Sequence, residues 1–287
     1  MIAGAQKGGT TQLASHLACV EGVWIPRGET PAFEDPNFYE GGLKRLQNAI
    51  KKQAPHDSLV GIKRASYLAF DEVPCRIKDA YPDVKVILVL RDPVDRAVSA
   101  YFHKVKYGRM PILPVSEGLT RILNGDNLGN KRVFEILEYS RYASLVPAWQ
   151  RKFRDNLIVV GNGDLRNDEI RAAKGVCRAL GVDYQVARTV ATNTNTGATT
   201  WLELRLLRQM HRAINTFEPA TGRLGPRTQN PLKLTYGAAM RGAARIAHSS
   251  DSAKSSVMQL DTVTHERLTN HFAEDYHFTH ENFDIRL

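Results

Sequence analysis

The sequence predicts an α/β fold in which a central, mainly parallel β-sheet is flanked by helices. Two apolar runs, at residues 84–90 and 157–161, are rich in β-branched and aliphatic residues, which is typical of buried parallel strands. A third observation is a glycine-rich turn at residues 4–9 between a short apolar run and a helix-forming segment. The chain has 287 residues, of which 43% are hydrophobic, enough for one large domain with a sizeable core.

The first element is a strand, a glycine turn and a helix start at residues 2–17. Residues 2–11 have the sequence IAGAQKGGTT. Glycines let the backbone turn tightly and approach a ligand, and the amides and positive dipole end of the next helix attract an anion. Lys7 adds a positive charge inside this turn. The segment therefore predicts a phosphate-binding loop, and a tight strand-to-helix turn with a surface lysine is the other interpretation.

The spacing within the loop indicates which phosphate it binds. A Walker A loop requires Gly, four residues, and then Gly-Lys-Ser/Thr. Gly4 and Gly9 have this separation, but Thr10 stands where the lysine should be. The lysine of this loop, Lys7, lies three residues nearer the strand. This register argues against a loop that grips the β- and γ-phosphates of Mg-ATP.

A second candidate anion site follows the strand at residues 84–90. Arg91 falls at the carboxyl end of that strand, and open parallel sheets bind ligands at this edge. Asp92 can cap the next helix and Pro93 can occupy its first turn. Arg96 and Ser99 are three residues apart and share one face of that helix. A second phosphate is therefore expected here, although solvated helix-start charges would give the same pattern.

Together the two motifs resemble those of the PAPS-dependent sulfotransferases. Lys-x-Gly-Thr-Thr at residues 7–11 is similar to their 5′-phosphosulfate loop, and Arg-Asp-Pro-x-x-Arg-x-x-Ser-x-Tyr at residues 91–101 resembles their 3′-phosphate motif. The likeness covers about residues 2–185 and is closest to the glycan, heparan-sulfate-type and related bacterial members. It implies a three-layer, P-loop-NTPase-like fold. It also implies transfer of a sulfuryl group from PAPS to an acceptor hydroxyl on a carbohydrate or glycan-containing molecule.

The same resemblance implies the cofactor-binding residues. The 5′-phosphosulfate would be held by the loop residues Lys7, Gly8, Gly9, Thr10 and Thr11. Lys7 would also be catalytic, because it would stabilise charge on the bridging oxygen as that oxygen leaves. The 3′-phosphate would be bound by Arg91 and Ser99. Tyr142, in the pattern Tyr-Ala-x-x-Val-x-x-Trp, would lie near the nucleotide, and a core-filling aromatic is its alternative. No metal is expected, because lysine and backbone donors take the place that magnesium has in NTPases.

Two further segments supply candidate catalytic residues. Residues 27–33, RGETPAF, resemble the Lys-Glu-x-x-x-Phe element of the family, with Gly28 in place of the lysine. The acceptor hydroxyl must lose its proton, so Glu29 is the candidate base, with Glu34 and Asp35 as substitutes. The other interpretation of Glu29 is an exposed glutamate in a loop without a catalytic role.

The second of these segments is residues 62–67, IKRASY. It resembles the Glu-Lys-x-x-x-Tyr element, with Arg64 and Ala65 replacing the usual Thr-Pro. The resemblance implies that Lys63 faces the sulfuryl group or the acceptor. A lysine on a turn at the sheet edge is the other interpretation.

The remaining elements follow from apolar residues at helical or strand spacing and from capping residues. Short strands are predicted at residues 23–26 and 59–67. Helices are predicted at residues 10–19, 38–52, 74–80, from 93 onward, 139–153, 167–180, 201–214 and 260–275. In the helix at 201–214, Leu202, Leu206 and Met210 are expected to face inward.

The chain is predicted to be a single domain, residues 1–287, with a core of about residues 1–185 and a helical C-terminal part at 186–287. An Asn/Thr loop at residues 193–197 resembles the loop that in this family returns to the nucleotide. Residues 221–256 are rich in Gly, Arg and Ser, which indicates an acceptor-binding flap or a poorly ordered insertion.

The composition limits the binding partners and the cellular compartment that are expected for the protein. Lys and Arg number 39 against 30 Asp and Glu, for a formal charge of +9, which suits an anionic nucleotide but would equally suit nucleic acid or a membrane surface. The three cysteines, Cys19, Cys75 and Cys177, lie far apart, as expected in a reducing compartment. With no apolar run of about 20 residues and no signal peptide before the loop, a cytoplasmic location is expected. No nucleic-acid partner is expected, and no feature indicates an oligomeric state.

Two other functions stay open on the sequence. A divergent P-loop kinase would require Mg-ATP, and the missing Walker lysine speaks against it. A non-catalytic basic module that binds nucleic acid or acidic polysaccharide would explain the charge but leave both nucleotide motifs without a role. Salt-dependent binding without nucleotide preference would favour that module.

Overall fold

The computed structural model describes residues 1–187, 200–217, 224–250 and 256–287. The predicted loop at residues 193–197 lies outside the described residues. The chain divides into two compact units. The first unit comprises Met1–Arg96, Tyr139–Thr194 and Glu274–Leu287, and the second comprises Ala97–Glu138 and Asn195–Ala273. That the whole chain forms a single domain stays a prediction.

The strands form one central parallel sheet and two small pairs. They are β1 (Ile2–Gly4), β2 (Val23–Trp24), β3 (Leu59–Val60), β4 (Val86–Leu90), β5 (Leu157–Gly161), β6 (Asn215–Phe217) and β7 (Leu224–Arg227). The sheet has the order β1-β4-β5 with both pairs parallel, and β2 pairs with β3 in parallel. β6 and β7 are antiparallel. The predicted α/β fold with a mainly parallel sheet is confirmed.

Helices connect and cover these strands. In the first half of the chain they are α1 (Thr10–Leu17), α2 (Gly42–Gln53), α3 (Val73–Ala80), α4 (Pro93–Lys106), α5 (Val115–Leu123) and α6 (Glu135–Glu138). In the second half they are α7 (Tyr142–Phe153), α8 (Asn162–Asn167), α9 (Glu169–Leu180), α10 (Trp201–Ile214), α11 (Pro231–Ser250), α12 (Thr262–His271) and α13 (Ala273–Asn282). In the part of the chain that the structure describes, no helix is both long and apolar enough to cross a bilayer.

The side chains of β4 alternate between the two faces of the sheet, which explains why both faces are covered. All five residues of β4 are buried. Leu88 and Leu90 belong to one core cluster, which contains Trp149 of α7. Ile87 and Val89 belong to the other, which contains residues of α1 and α9. Successive side chains of a strand point to opposite faces, so the apolar run builds two cores and a three-layer arrangement.

The segment around Lys63 extends the central sheet. Ile2 N donates to Ile62 O and Arg64 N donates to Ile2 O, both at 2.9 Å. Ile87 N, from β4, donates to Met1 O at 2.7 Å. β1 thus lies between β4 and the Lys63 segment, which brings three chain segments to one edge of the sheet.

Capping residues begin and end α4 and α9, and of these Asp92 was predicted. Asp92 Oδ1 accepts from Asp95 N at 2.8 Å, and Pro93 is the first residue of α4. Asp168 accepts from Arg171 N at 2.8 Å at the start of α9. Gly181 ends α9 with a φ of 79°, the left-handed conformation that glycine adopts without strain.

The C-terminal part departs from the sequence interpretation at Leu202 and contains regular elements within residues 221–256 that the interpretation did not include. Leu202 is 57% exposed, so its predicted inward orientation is wrong, whereas Met210 is buried as predicted, together with Leu204 and Ile214. The described part of residues 221–256 contains β7 and the 20-residue helix α11. The sequence interpretation considered the Gly, Arg and Ser residues of this segment but not its alanines, which favour a helix.

Candidate active site

The glycine loop joins the carboxyl end of β1 to the start of α1. A Cβ on Gly8 would lie 2.2 Å from Val89 O, and a Cβ on Gly9 would lie 2.7 Å from Asn162 Nδ2. Gly9 also has a φ of 104°, which an L side chain rarely adopts. The loop is therefore pressed against β4 and α8, and only glycine fits at these two positions.

Asn162 holds the loop in place, and the sequence interpretation missed it. Its Nδ2 donates to Gly8 O at 2.8 Å, and the residue is 6% exposed. Asn162 comes directly after β5, at the same carboxyl edge of the sheet as the loop. Its position after a predicted buried strand was the signal that could have found it.

The loop leads into the positive end of α1. Gly9 is the N-cap of this helix, and the first turn contains no acidic residue. The first amides of a helix have no partner within it, and they point with the helix dipole toward an anion. Thr10 is buried and Thr11 is exposed at this end. Lys7 has a φ of 69°, so the backbone itself bends sharply at the predicted cationic residue.

The structure brings Lys63, Glu29 and Thr11 together. Lys63 Nζ donates to Glu29 Oε1 at 2.6 Å and to Thr11 Oγ1 at 3.0 Å. The other carboxylate oxygen, Glu29 Oε2, accepts from Ala65 N at 2.9 Å. Of the three predicted catalytic residues, Lys7, Glu29 and Lys63, the structure thus places Lys63 in contact with both the phosphate loop and Glu29. An ammonium group has three N–H donors, and these two bonds to described residues use two of those of Lys63.

The two substitute carboxylates are held elsewhere. Glu34 is 1% exposed and accepts from Arg64 Nε and Nη2, both at 2.6 Å, and from Ser66 Oγ at 2.6 Å. Asp35 pairs with Arg76 Nη1 at 2.9 Å. Of the three candidate bases, Glu29 is therefore the one that lies at the loop.

Arg91 follows β4 at the same edge of the sheet. Tyr142 OH donates to Arg91 O at 2.9 Å and lies 3.4 Å from Arg91 N. The guanidinium pairs with Asp95 through Nη2 at 3.2 Å, and its buried Nε has no hydrogen-bond partner in the described part of the chain. A buried N–H without a partner is costly, so this group is suited to an anionic ligand.

Tyr142 holds the backbone of Arg91. It is fully buried, and burial raises the pKa of its phenol to about 12. The hydroxyl therefore stays protonated and donates to Arg91 O, so the structure gives Tyr142 a positioning contact. Its predicted contact with the nucleotide stays a prediction.

The other two residues of the second motif have separate environments. Arg96 is fully buried, and its Nε donates to Ser140 Oγ, which in turn donates to Pro93 O at 3.0 Å. Arg96 therefore joins the start of α4 to Ser140, two residues before α7. Ser99 is half-buried on α4, in the residues of the second unit, and its predicted binding of a phosphate stays a prediction.

Comparisons with known proteins relate part of this chain to sulfotransferases. The model of the Sulfotransferase family matches residues 75–186, the span from α3 through β4 and β5 to the end of α9 and the bridge at Val186. This part of the chain is similar to the sulfotransferase family. The matched span includes Arg91 and Tyr142, whereas the glycine loop, Glu29 and Lys63 lie before it.

Two curated mammalian sulfotransferases are similar to this chain. The heparan sulfate glucosamine 3-O-sulfotransferase 3B1 of Mus musculus is 30% identical over 156 residues, which is 53% of this chain and 38% of that protein. The protein of the same name from Homo sapiens is 31% identical over 163 residues, which is 56% of this chain and 40% of that protein. The aligned part thus spans about two fifths of the length of these relatives.

A solved structure shows the sulfotransferase fold. The sulfotransferase from Alicyclobacillus acidocaldarius superimposes with a TM-score of 0.57 and 24% identity, covering 68% of this chain and 85% of that one. The expected P-loop-like α/β fold of the family is thereby confirmed.

Proposed function

We propose that the protein transfers the sulfuryl group of PAPS to a hydroxyl group of a carbohydrate or glycan-containing acceptor. The observation that carries this proposal is the contact of Lys63 with both Thr11 of the loop and Glu29. It brings a cation, a carboxylate and an anion-binding helix start to one edge of the sheet. Sulfuryl transfer requires these groups, because it depends on positioning and on stabilisation of developing charge.

The residues present fit a donor with two separate anionic groups. Gly8 and Gly9 let the loop pack closely against Val89 and Asn162, which fixes the start of α1, the helix end whose amides would bind a phosphosulfate. Arg91 has a buried Nε without a partner among the described residues, which suits the 3′-phosphate that distinguishes PAPS from ATP. PAPS, when bound, supplies the activated sulfuryl group and a good leaving group. The predicted absence of a metal requirement remains part of the proposal.

The remaining chemistry belongs to residues of this chain. Lys63, with its third N–H donor, would stabilise negative charge as it develops near the loop. Glu29 accepts two hydrogen bonds, from Lys63 and Ala65, and a carboxylate has about four acceptor sites. It can therefore accept a further hydrogen bond from an acceptor hydroxyl and remove its proton.

The acceptor class is supported by the relatives. Those in mouse and human carry heparan sulfate glucosamine in their names, which supports a glycan acceptor. We also propose a cytoplasmic location. Its support is that Cys19, Cys75 and Cys177 are all free thiols, as is usual in a reducing compartment.

Calorimetric binding of adenosine 3′,5′-bisphosphate, compared with AMP and Mg-ATP, tests the donor site independently of activity. We expect tight binding of the bisphosphate, weaker binding of AMP, and loss of this difference in Arg91→Ala. Arg151→Ala, which alters an exposed arginine of α7, is the matched control and should bind as wild type does. Preference for Mg-ATP, or no nucleotide binding by the folded protein, would overturn the proposal.

A further inference from the structure

Helix α11 presents apolar side chains to solvent along one face. Leu232 is 79% exposed and Ile246 is 70% exposed. Together with the exposed Ala239 they are spaced by seven residues, so all three share a face of the helix. The buried residues Gly237 and Ala244 lie on the side that packs on α10. The outward stripe contains no charged residue over its length.

The hairpin to which α11 belongs is strongly basic. We call residues 200–217 and 224–250 the helical hairpin; they contain α10, β6, β7 and α11. Its lysines and arginines are Arg205, Arg208, Arg212, Arg227, Lys233, Arg241 and Arg245, and all but the half-buried Arg208 are exposed. Its only carboxylate among the described residues is Glu203, which is buried and accepts from His248 Nδ1 at 3.1 Å. The solvent-facing charge of the hairpin is therefore positive.

We propose that this helical hairpin docks on the surface of an anionic lipid bilayer. Exposed leucine and isoleucine beside arginine and lysine are the combination found in helices that lie in a membrane interface. Apolar side chains enter the boundary between headgroups and acyl chains, while cations contact the phosphates. The positive charge of the hairpin thus favours an anionic partner, and the apolar stripe favours a lipid bilayer over a soluble one.

Two other occupants fit these observations less well. A soluble polyanion would neutralise the arginines but leave Leu232 and Ile246 in water. A second copy of the chain would cover the stripe but would place two positive hairpins against each other, which is unfavourable. A bilayer satisfies both features at once.

The geometry of α11 suits binding in the plane of the interface. Its 20 residues extend about 30 Å, and Arg245 adjoins Ile246, while Arg241 lies one turn away and donates through Nε to Met210 Sδ of α10 at 3.4 Å. Leu202, which is 57% exposed at the start of α10, adds another apolar side chain to the hairpin. Hydrophobic insertion and electrostatic attraction can therefore be altered separately by mutation.

Vesicle co-sedimentation of the full chain tests the proposal. The probes are vesicles of phosphatidylcholine alone and of phosphatidylcholine with phosphatidylserine. We expect binding to the anionic vesicles that weakens as salt is added. The double variant Leu232→Ser, Ile246→Ser and the double variant Arg241→Glu, Arg245→Glu should each bind about tenfold more weakly.

Matched controls make the same kinds of substitution at exposed positions outside the helical hairpin. Val263 on α12 is 68% exposed, and Val263→Ser should bind as wild type does. The double variant Arg166→Glu, Arg178→Glu changes charge equally at exposed positions and should also retain binding. Circular dichroism establishes that each variant is folded.

Three results would overturn the proposal. One is no binding to anionic vesicles by the folded wild type. Another is binding that the serine variant retains in full, which would assign the hairpin to soluble polyanions. The third is a dimer in sedimentation velocity that the serine variant abolishes, because the stripe would then be an interface between copies.

Discussion

At the scale of single residues, the candidate site is a set of short contacts around Lys63. Its ammonium group joins the loop, through Thr11, to Glu29 on a different segment. Glu29 is held in turn by Ala65 N, so its orientation is fixed from both sides. A base in this position needs no rearrangement of the chain before an acceptor hydroxyl can reach it.

Glu29→Gln should separate chemistry from donor binding. The amide keeps the size of the side chain but cannot take a proton, so transfer should fall by about 10²- to 10⁴-fold. Binding of adenosine 3′,5′-bisphosphate should change little, because Glu29 contacts Lys63 and Ala65 but none of the loop glycines. Transfer of labelled sulfate from PAPS to glycan acceptors, beside calorimetry, measures both. The exposed Glu21→Gln is the control, and a Glu29→Gln enzyme with wild-type transfer would exclude this residue as the base.

A second carboxylate, Glu34, is a structural anchor. It lies 1% exposed against Arg64 and Ser66, and Tyr67 OH lies 3.2 Å from Phe33 N beside it. Glu34→Ala would leave Arg64 without its buried partner and should lower the free energy of unfolding by roughly 3 kcal/mol. Chemical denaturation measures this loss.

The control for Glu34 is a surface pair. Glu117 is 51% exposed and lies 3.9 Å from Arg121, so Glu117→Ala should cost less than about 1 kcal/mol. Equal effects of the two substitutions would contradict an anchoring role for Glu34.

At the scale of elements, the strands and helices whose own residues form a recognisable pattern could be predicted from the sequence. β4 and α4 were found because an apolar run, a capping Asp92 and Pro93 are adjacent in the chain. The contacts that position the site join distant segments, as Asn162 does with Gly8 and Arg64 with Glu34. Such pairings leave no local pattern, so the candidate residues could be named but their partners could not.

The orientation of α10 shows the same limit. Its bounds, Trp201–Ile214, agree with the predicted helix, and Thr200 caps it by accepting from Glu203 N at 3.0 Å. Leucines occur on several sides of this helix, so apolar spacing alone could not select the buried face. Met210 and Ile214 pack near Gly237 of α11 and are buried, as is Leu204, whereas Leu202 is left exposed.

His211 on α10 should make the second unit sensitive to acid. Its ring stacks on Tyr107 at 4.0 Å, and Asn215 Nδ2 lies 2.9 Å from Nδ1. Burial, followed by the positive charges of Lys106, Arg227 and Arg241, lowers the pKa of His211 from 6.5 to about 4. Between these values the unfolded chain binds a proton that the folded chain does not. The stabilising contribution is thus present above pH 6.5 and is lost as the pH falls toward 4, by at most about 3 kcal/mol.

Thermal unfolding followed from pH 7 to pH 4.5 checks this dependence. His211→Gln should show a smaller loss of melting temperature over that interval, because glutamine does not titrate there. The exposed His280→Gln should follow the wild type. An unchanged pH dependence in His211→Gln would show that other groups cause the acid sensitivity.

At the scale of the whole molecule, the formal charge of +9 does not decide the function, because an enzyme and a polyanion-binding module both suit it. What distinguishes them is whether one small nucleotide stabilises the fold. The glycine loop, Lys63, Glu29 and Arg91 all belong to the first unit, so they can respond together to a ligand. Selective stabilisation is therefore a property of the fold that charge alone would not produce.

Adenosine 3′,5′-bisphosphate at about a hundred times its dissociation constant should raise the free energy of unfolding by about 2.7 kcal/mol, because it binds the folded state alone. Thermal unfolding of wild type and Arg91→Ala, with and without the bisphosphate, measures this effect. The variant should show little shift at the same concentration, since it lacks the guanidinium that suits the 3′-phosphate. Equal stabilisation by Mg-ATP would indicate a kinase. Stabilisation by any polyanion, steeply reduced by salt, would indicate a basic binding module, because counterion release and not nucleotide recognition would then supply the free energy.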